Sequence, residues 1–305
     1  MRVITVPPSL DYRTFDQLVS ALALRASPAE PRVLFDAHRV RWVDPVGMIG
    51  LLAAGTVVAS ETGHAPTLHL PADGNVVGYL GRMGFAEAAR LVFEGELHLP
   101  GRSGGASDVL LEITTISENR DVHDVVDRVQ ERAGTILSRT LHYPPTAVVQ
   151  FSVILSEVCQ NVLEHAGAPG WVCGQTYTWE KRLGGKQVLI IGVGDVGMGF
   201  RASLAEEYAG HFLDRWGDAT ALEAAFLQGY TRFADQGRGH GIQQIRKQVR
   251  KWDGMIAVRS GTARIADVPA WEDLPPLADG IPDFPGAQIT IILPAADPDE
   301  ERARR

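Results

Sequence analysis

Cysteine is nearly absent. Cys159 and Cys173 are the two in 305 residues, and they form no CxxC pair. That argues against a disulfide framework or a thiolate zinc site and leaves two ordinary thiols in a reducing compartment. Positive charge is also short, with 29 Lys and Arg against 37 Asp and Glu and a formal net charge of −8. The chain therefore lacks the basic footprint of a non-specific nucleic-acid binder, and no nucleic-acid partner is expected. An acidic bulk still admits an anionic nucleotide, which local backbone amides and one metal ion can hold. No apolar run reaches the roughly 18 residues of a membrane span. The stretch Val46–Ala59 is too short and is interrupted by glycine. MRVITVPPSL lacks the apolar core of a signal peptide, so a cytoplasmic location without membrane contact is expected.

What is present is ordinary for a globular protein: 45% hydrophobic and 22% charged residues. The length suffices for two cores. The Gly/Ser/Pro run at 99–107 predicts a linker between a first domain, 1–98, and a second, 108–294. The charged stretch 295–305 reads as a disordered tail.

In the first domain, strand and helix signals alternate, giving a small α/β unit. RVITV, VLF at 33–35 and TLHL at 67–70 read as strands. Thr14–Arg25 carries Phe15, Leu18, Val19 and Leu22 at helical spacing, and Val46–Ala59 reads as an apolar helix. VLFDAHRVRWVDPVGMIGLLAAG resembles the STAS domain of anti-sigma-factor antagonists, through Asp36, Asp44, Gly47 and the apolar helix after them. Members switched by phosphorylation carry serine after the motif aspartate. Pro45 and Val46 stand there instead and have no hydroxyl. The resemblance thus implies a domain that docks partners without being switched at that spot.

Three boxes follow in the second domain. The first is SEVCQNVLEH, 156–165, in a helix predicted from about Thr146, with Val149, Ile154, Leu155, Val158 and Val162 as its buried face. Glu157, Asn161 and His165 are four apart and so project from one stripe. Alone, that stripe reads better as a solvated polar face. The second is DVGMGF, 195–200, after the strand KQVLIIGVG. Alone, it is any glycine-rich strand-to-helix turn, though not the G-x-G-x-x-G dinucleotide fingerprint. The third is GRGHGIQQIRKQV, 237–249, where alternate glycines lead into a helix whose first amides suit a phosphate. Its alternative is a flexible glycine loop.

In order, spacing and context, the three boxes resemble those of the GHKL ATP-binding domain, over roughly 109–294. That resemblance implies a Bergerat fold, an α+β two-layer sandwich binding ATP and Mg²⁺. Asn161 would coordinate the metal, and Glu157 would be the general base. His165 shares their stripe in the nucleotide-binding box. Asp195 would accept the adenine amino proton, with Gly197 and Gly199 letting the backbone approach. Gly239 and Gly241 would cradle the triphosphate with His240 between them, and Thr231 and Arg232 from a lid spanning 201–236, together with Arg238 of the third box, would reach it. The closing strand departs from the family pattern. Ala287 follows Gly286 where the family has a threonine that supports the adenine aspartate. The lid segment also has helical periodicity, so a permanently packed helical insertion is its alternative reading.

Fold does not fix outcome. The resemblance implies a signalling regulator that engages a protein partner, of the sigma-factor pathway or another, in a nucleotide-dependent way. It allows an anti-sigma-type serine/threonine kinase, an ATP-gated adaptor or a weak ATPase, with a homodimer among the assemblies. His123 and His142 sit in no acceptor motif, so histidine autophosphorylation is not expected.

Overall fold

The structure, a computed structural model, describes residues 1–23, 32–101, 110–116, 122–166, 168–231 and 241–296. For 122–126, 128, 154, 161–166 and 241 it describes the helical backbone only. The tail from 297 and most of the expected linker lie outside these residues.

The first hundred residues form strands β1 (Arg2–Thr5), β2 (Ser9–Leu10), β3 (Val33–Asp36), β4 (Trp42–Val43) and β5 (Thr67–His69). Helices α1 (Phe15–Ala23), α2 (Pro45–Thr62), α3 (Gly74–Arg82) and α4 (Phe85–Ala89) alternate with them. Strands β1, β3 and β5 pair in parallel in that order, and β2 pairs in parallel with β4. Phe15, Leu18 and Val19 of α1 are buried as their spacing predicts.

Helix α2 is the central element. Asp44 caps its start, accepting the Gly47 N–H at 2.7 Å, and Pro45 fills the first turn where no N–H is needed. Gly63, at φ 71°, ends it in the left-handed conformation. The helix is long and apolar enough to cross a membrane, yet 67% of it is buried inside the protein. It is buried because it packs on two sides. One side joins the core of the amino-terminal unit, through Met48, Leu52 and Ala53. The other rests on a second sheet.

That sheet is five-stranded and antiparallel, in the order β6 (Leu110–Ile116), β7 (Gly170–Trp179), β8 (Lys186–Asp195), β10 (Leu277–Pro294), β9 (Met255–Asp267). Side chains alternate across β8. Leu189, Ile191 and Val193 face one core with helices α5 (Val122–Thr135), α6 (Pro145–Ala166) and α10 (Gly241–Lys251). Val188 and Ile190 face the other side with Val46 of α2. Both faces are covered, so the strand reads as an unbroken apolar run. Gly192 and Gly194 let α2 lie close: a Cβ on Gly194 would stand 2.9 Å from Ile49. The chain is thus a mixed α/β protein with parallel and antiparallel sheets.

Polar contacts fasten the two units together. Glu272, buried, accepts from the Tyr12 hydroxyl at 2.6 Å and pairs with Arg13 and with Arg182 at 3.0 Å. Asp16 pairs with Arg259 at 2.8 Å and with Arg264 at 3.4 Å. The thiols are free and buried, and burial pushes Cys159 up to about 12.

Two sequence expectations are corrected here. Val149 is 63% exposed, because Ala147, Phe151, Leu155 and Val158 define the inward stripe and Val149 lies some 200° from Phe151. The Pro-rich stretch 266–286, which the sequence offers as an insertion between the strand patterns MIAVRSG and QITIILP, is largely strand. β9 runs to Asp267 and β10 starts at Leu277, with bulges near Phe284 that accommodate the Pro and Gly residues.

Candidate functional site

Register brings the boxes to one end of the large sheet. Helix α6 ends at Ala166 and leads into β7, whose first residue, Gly170, pairs with Asp195 at the end of β8. The carboxy-terminal turns of α6, where Asn161 and His165 lie, are therefore set at the Asp195 end. Helix α10 packs on the sheet through Ile245 and Val249 and feeds β9, which enters at the opposite end, with Met255 beside Ile292. Its first residue, Gly241, thus also belongs to the Asp195 end.

Asp195 is 6% exposed. Its Oδ1 accepts the Gly197 N–H at 2.8 Å, a tight turn that aspartate favours, and the Ala287 N–H also points at the carboxylate. Burial pushes the carboxyl up to about 6, against these two hydrogen bonds. Close by, Gln288 donates to the Asp195 carbonyl at 3.3 Å. Gly286, at φ 76°, has no room for a side chain: its Cβ would lie 2.2 Å from the Asp195 carbonyl oxygen. Beyond the turn, α8 (Gly199–Phe212) begins without a side-chain cap from Met198. Instead the Ser260 hydroxyl accepts the Phe200 N–H at 3.1 Å and donates to the Gly286 carbonyl at 2.8 Å. A cleft of 530 Å³, within the size range of ligand pockets, opens against Gly197 and Gly199, with Arg201, Trp216, Ser260 and Gly286 on its walls.

Glu157 is half-buried on α6, one turn before Asn161. The side chains of Asn161 and His165, the backbone of Arg232, and the loop residues Arg238, Gly239 and His240 lie outside the described residues. Thr231 is described, and its carbonyl accepts from the Tyr208 hydroxyl at 3.0 Å. The described part of the segment expected to move as a lid, 201–231, is mostly helical, with Leu204, Ala221, Leu222 and 224–226 buried. After α8 come a turn at Leu213–Arg215, α9 (Asp218–Glu223) and a wide helical turn at Ala224–Gln228. Leu222 and Phe226 belong to the same core as the sheet. The helical periodicity read for this segment is thus present as far as Gln228, and 232–236 lie outside the described residues. Among the described residues no group of three or more His, Cys, Asp or Glu side chains converges to hold a metal.

Sequence reasoning missed Ser260, Gln288 and Arg259. Nothing in MIAVRSG marks a functional serine, because its importance comes from a partner strand nearly thirty residues on. No family model matches the chain, and no curated protein matches it.

Proposed function

We propose that this chain is an ATP- and Mg²⁺-binding signalling regulator, with a GHKL-type nucleotide domain of the Bergerat fold behind a STAS-like amino-terminal unit. The observation that carries this reading is Asp195. It is a buried carboxylate held by two backbone amides, at the sheet end that the α6 polar stripe and the start of α10 also reach. A carboxylate held there can accept a hydrogen bond from the amino group of a base. Helix-start amides at Gly241 suit phosphate. Asn161 would supply one protein oxygen to Mg²⁺, an ion that takes most of its other ligands from phosphates and water. The metal would neutralise phosphate charge. The protein's own groups bind the base and orient the phosphates.

Glu157 supports a second step, proton abstraction from a partner's serine or threonine hydroxyl, which would make the chain a protein kinase. The STAS-like unit is not its substrate at the switch position. Pro45 and Val46 lack hydroxyls, and both are buried, Val46 against β8 and β9 side chains and Pro45 with its carbonyl accepting from the Cys173 thiol of β7. The same burial closes that spot to a partner. A partner would then engage another face.

The experiment is calorimetry of the purified chain with Mg-ATP. Wild type should bind. Glu157→Ala should bind nearly as well yet lose any transfer of labelled γ-phosphate to a partner. Absence of ATP binding by wild type would remove the nucleotide reading altogether. Binding of a partner that changes with a non-hydrolysable ATP analogue, without transfer, would favour the adaptor over the kinase.

A further inference from the structure

Ala287 lacks the hydroxyl that a GHKL closing strand offers behind the adenine aspartate, and β-register shows where another hydroxyl stands. Ala287 pairs directly with Ser260 on β9. We propose that Ser260 is a positioning residue that replaces the missing threonine from the neighbouring strand. It holds the Asp195 loop in the geometry that reads adenine, an inference that rests on the nucleotide reading above.

Four observations converge on it. Ser260 is buried, at 3% exposure. Its hydroxyl joins the two backbones that flank Asp195, accepting from Phe200 after the glycine turn and donating to Gly286 before Ala287. Those backbones carry the Gly197 and Ala287 amides that hold the carboxylate. A Cβ on Gly199 would stand 2.6 Å from the Ser260 oxygen, so glycine there is what lets the hydroxyl come so close. The strand bearing Ser260 is itself anchored. Arg259 pairs with Asp16 of α1, donates to the Gly261 and Pro282 carbonyls, and lies over the rings of Phe15 and Phe284. The amino-terminal unit is thereby tied, one residue away, to the support of the loop.

The test uses the full chain and Mg-ATP, with Mg-GTP as the comparison. Ser260→Ala should weaken ATP about tenfold, equal to about 1.4 kcal/mol, and bring ATP and GTP affinities together. Adding Ala287→Thr to that variant should restore both affinity and discrimination, because the hydroxyl returns from the other strand. A merely structural serine would lower melting temperature without this rescue. Ala287→Thr alone keeps the proposal testable should Ser260→Ala misfold. It should leave ATP affinity within about twofold of wild type, since the position is already served; a gain of tenfold or more would show that no substitute exists and overturn the proposal. Unchanged ATP binding in a folded Ser260→Ala would overturn it as well, while leaving nucleotide binding by wild type intact. Failure of wild type to bind ATP would overturn the nucleotide reading and this inference together.

Discussion

Two aspartates each stand between a strand and a helix, and burial raises both. Asp44 is pushed up to about 7 and Asp195 to about 6. Their surroundings differ. Asp44 spends its oxygens on its own neighbourhood, Oδ1 on the Gly47 N–H of the helix it caps and Oδ2 on the Tyr12 N–H at 3.3 Å. Only 1% of it is exposed, beneath a helix clamped between two units. Asp195 caps nothing. The helix after it takes its support from Ser260, and the aspartate is held from both sides by glycine-turn and strand amides. One carboxylate closes a fold, and the other is positioned by one. A motif aspartate before an apolar helix is therefore no sign of a ligand until its oxygens have been traced.

The comparison breaks most severely at the glycines. Gly47→Ala would put a Cβ 2.0 Å from the Leu10 carbonyl oxygen, in backbone that cannot move without displacing α2. It should destabilise by about 3 kcal/mol or more, measured by denaturant unfolding, or prevent folding. Gly286→Ala meets a similar clash against Asp195. Because that loop lies at the sheet end, the loss should fall on ligand binding more than on the melting temperature.

Next in size are the pH effects, which separate the two aspartates from ordinary surface carboxylates. Burial raises each above the ordinary 3.8, so the folded chain holds these protons more tightly than the unfolded one. Their contribution to stability is full below about pH 4 and is lost as pH rises through about 6 for Asp195 and about 7 for Asp44. Each ionisation weakens the fold by up to about 3–4 kcal/mol. Asp44→Asn and Asp195→Asn should each flatten that limb of the stability profile from pH 4 to 8. A variant whose profile stays parallel to wild type would show that its carboxyl is not raised. ATP affinity should run the other way and fall as pH drops through about 6, because protonated Asp195 is a poorer acceptor.

The smallest effect expected is that of Glu157→Ala on ATP affinity, less than about threefold, because a general base acts on rate. A larger loss would place Glu157 among the binding groups.

Much of this was legible in the sequence where one element answers to one environment. Phe15, Leu18 and Val19 show their face by spacing, and Asp44–Pro45 announces the start of α2. The legible part ends where a residue's partner is remote. Val149 looks apolar and inward until Phe151 and Leu155 fix the helix rotation. Gly192 and Gly194 look like the approach to a turn but serve the close passage of α2. The Pro/Gly run before Ala287 hides a bulged strand. Ser260 has no local mark, because its role exists only once β9 and β10 are in register.

The most direct measurement is a side-by-side titration of Mg-ATP into Asp195→Asn and Asp44→Asn at neutral pH. If Asp195 reads the base, its variant loses roughly 1.5–3 kcal/mol of binding, about ten- to a hundredfold in affinity, while the Asp44 variant binds like wild type. Equal affinities for the two variants, whether both intact or both reduced, would contradict the assignment of Asp195 to the ligand and Asp44 to the fold.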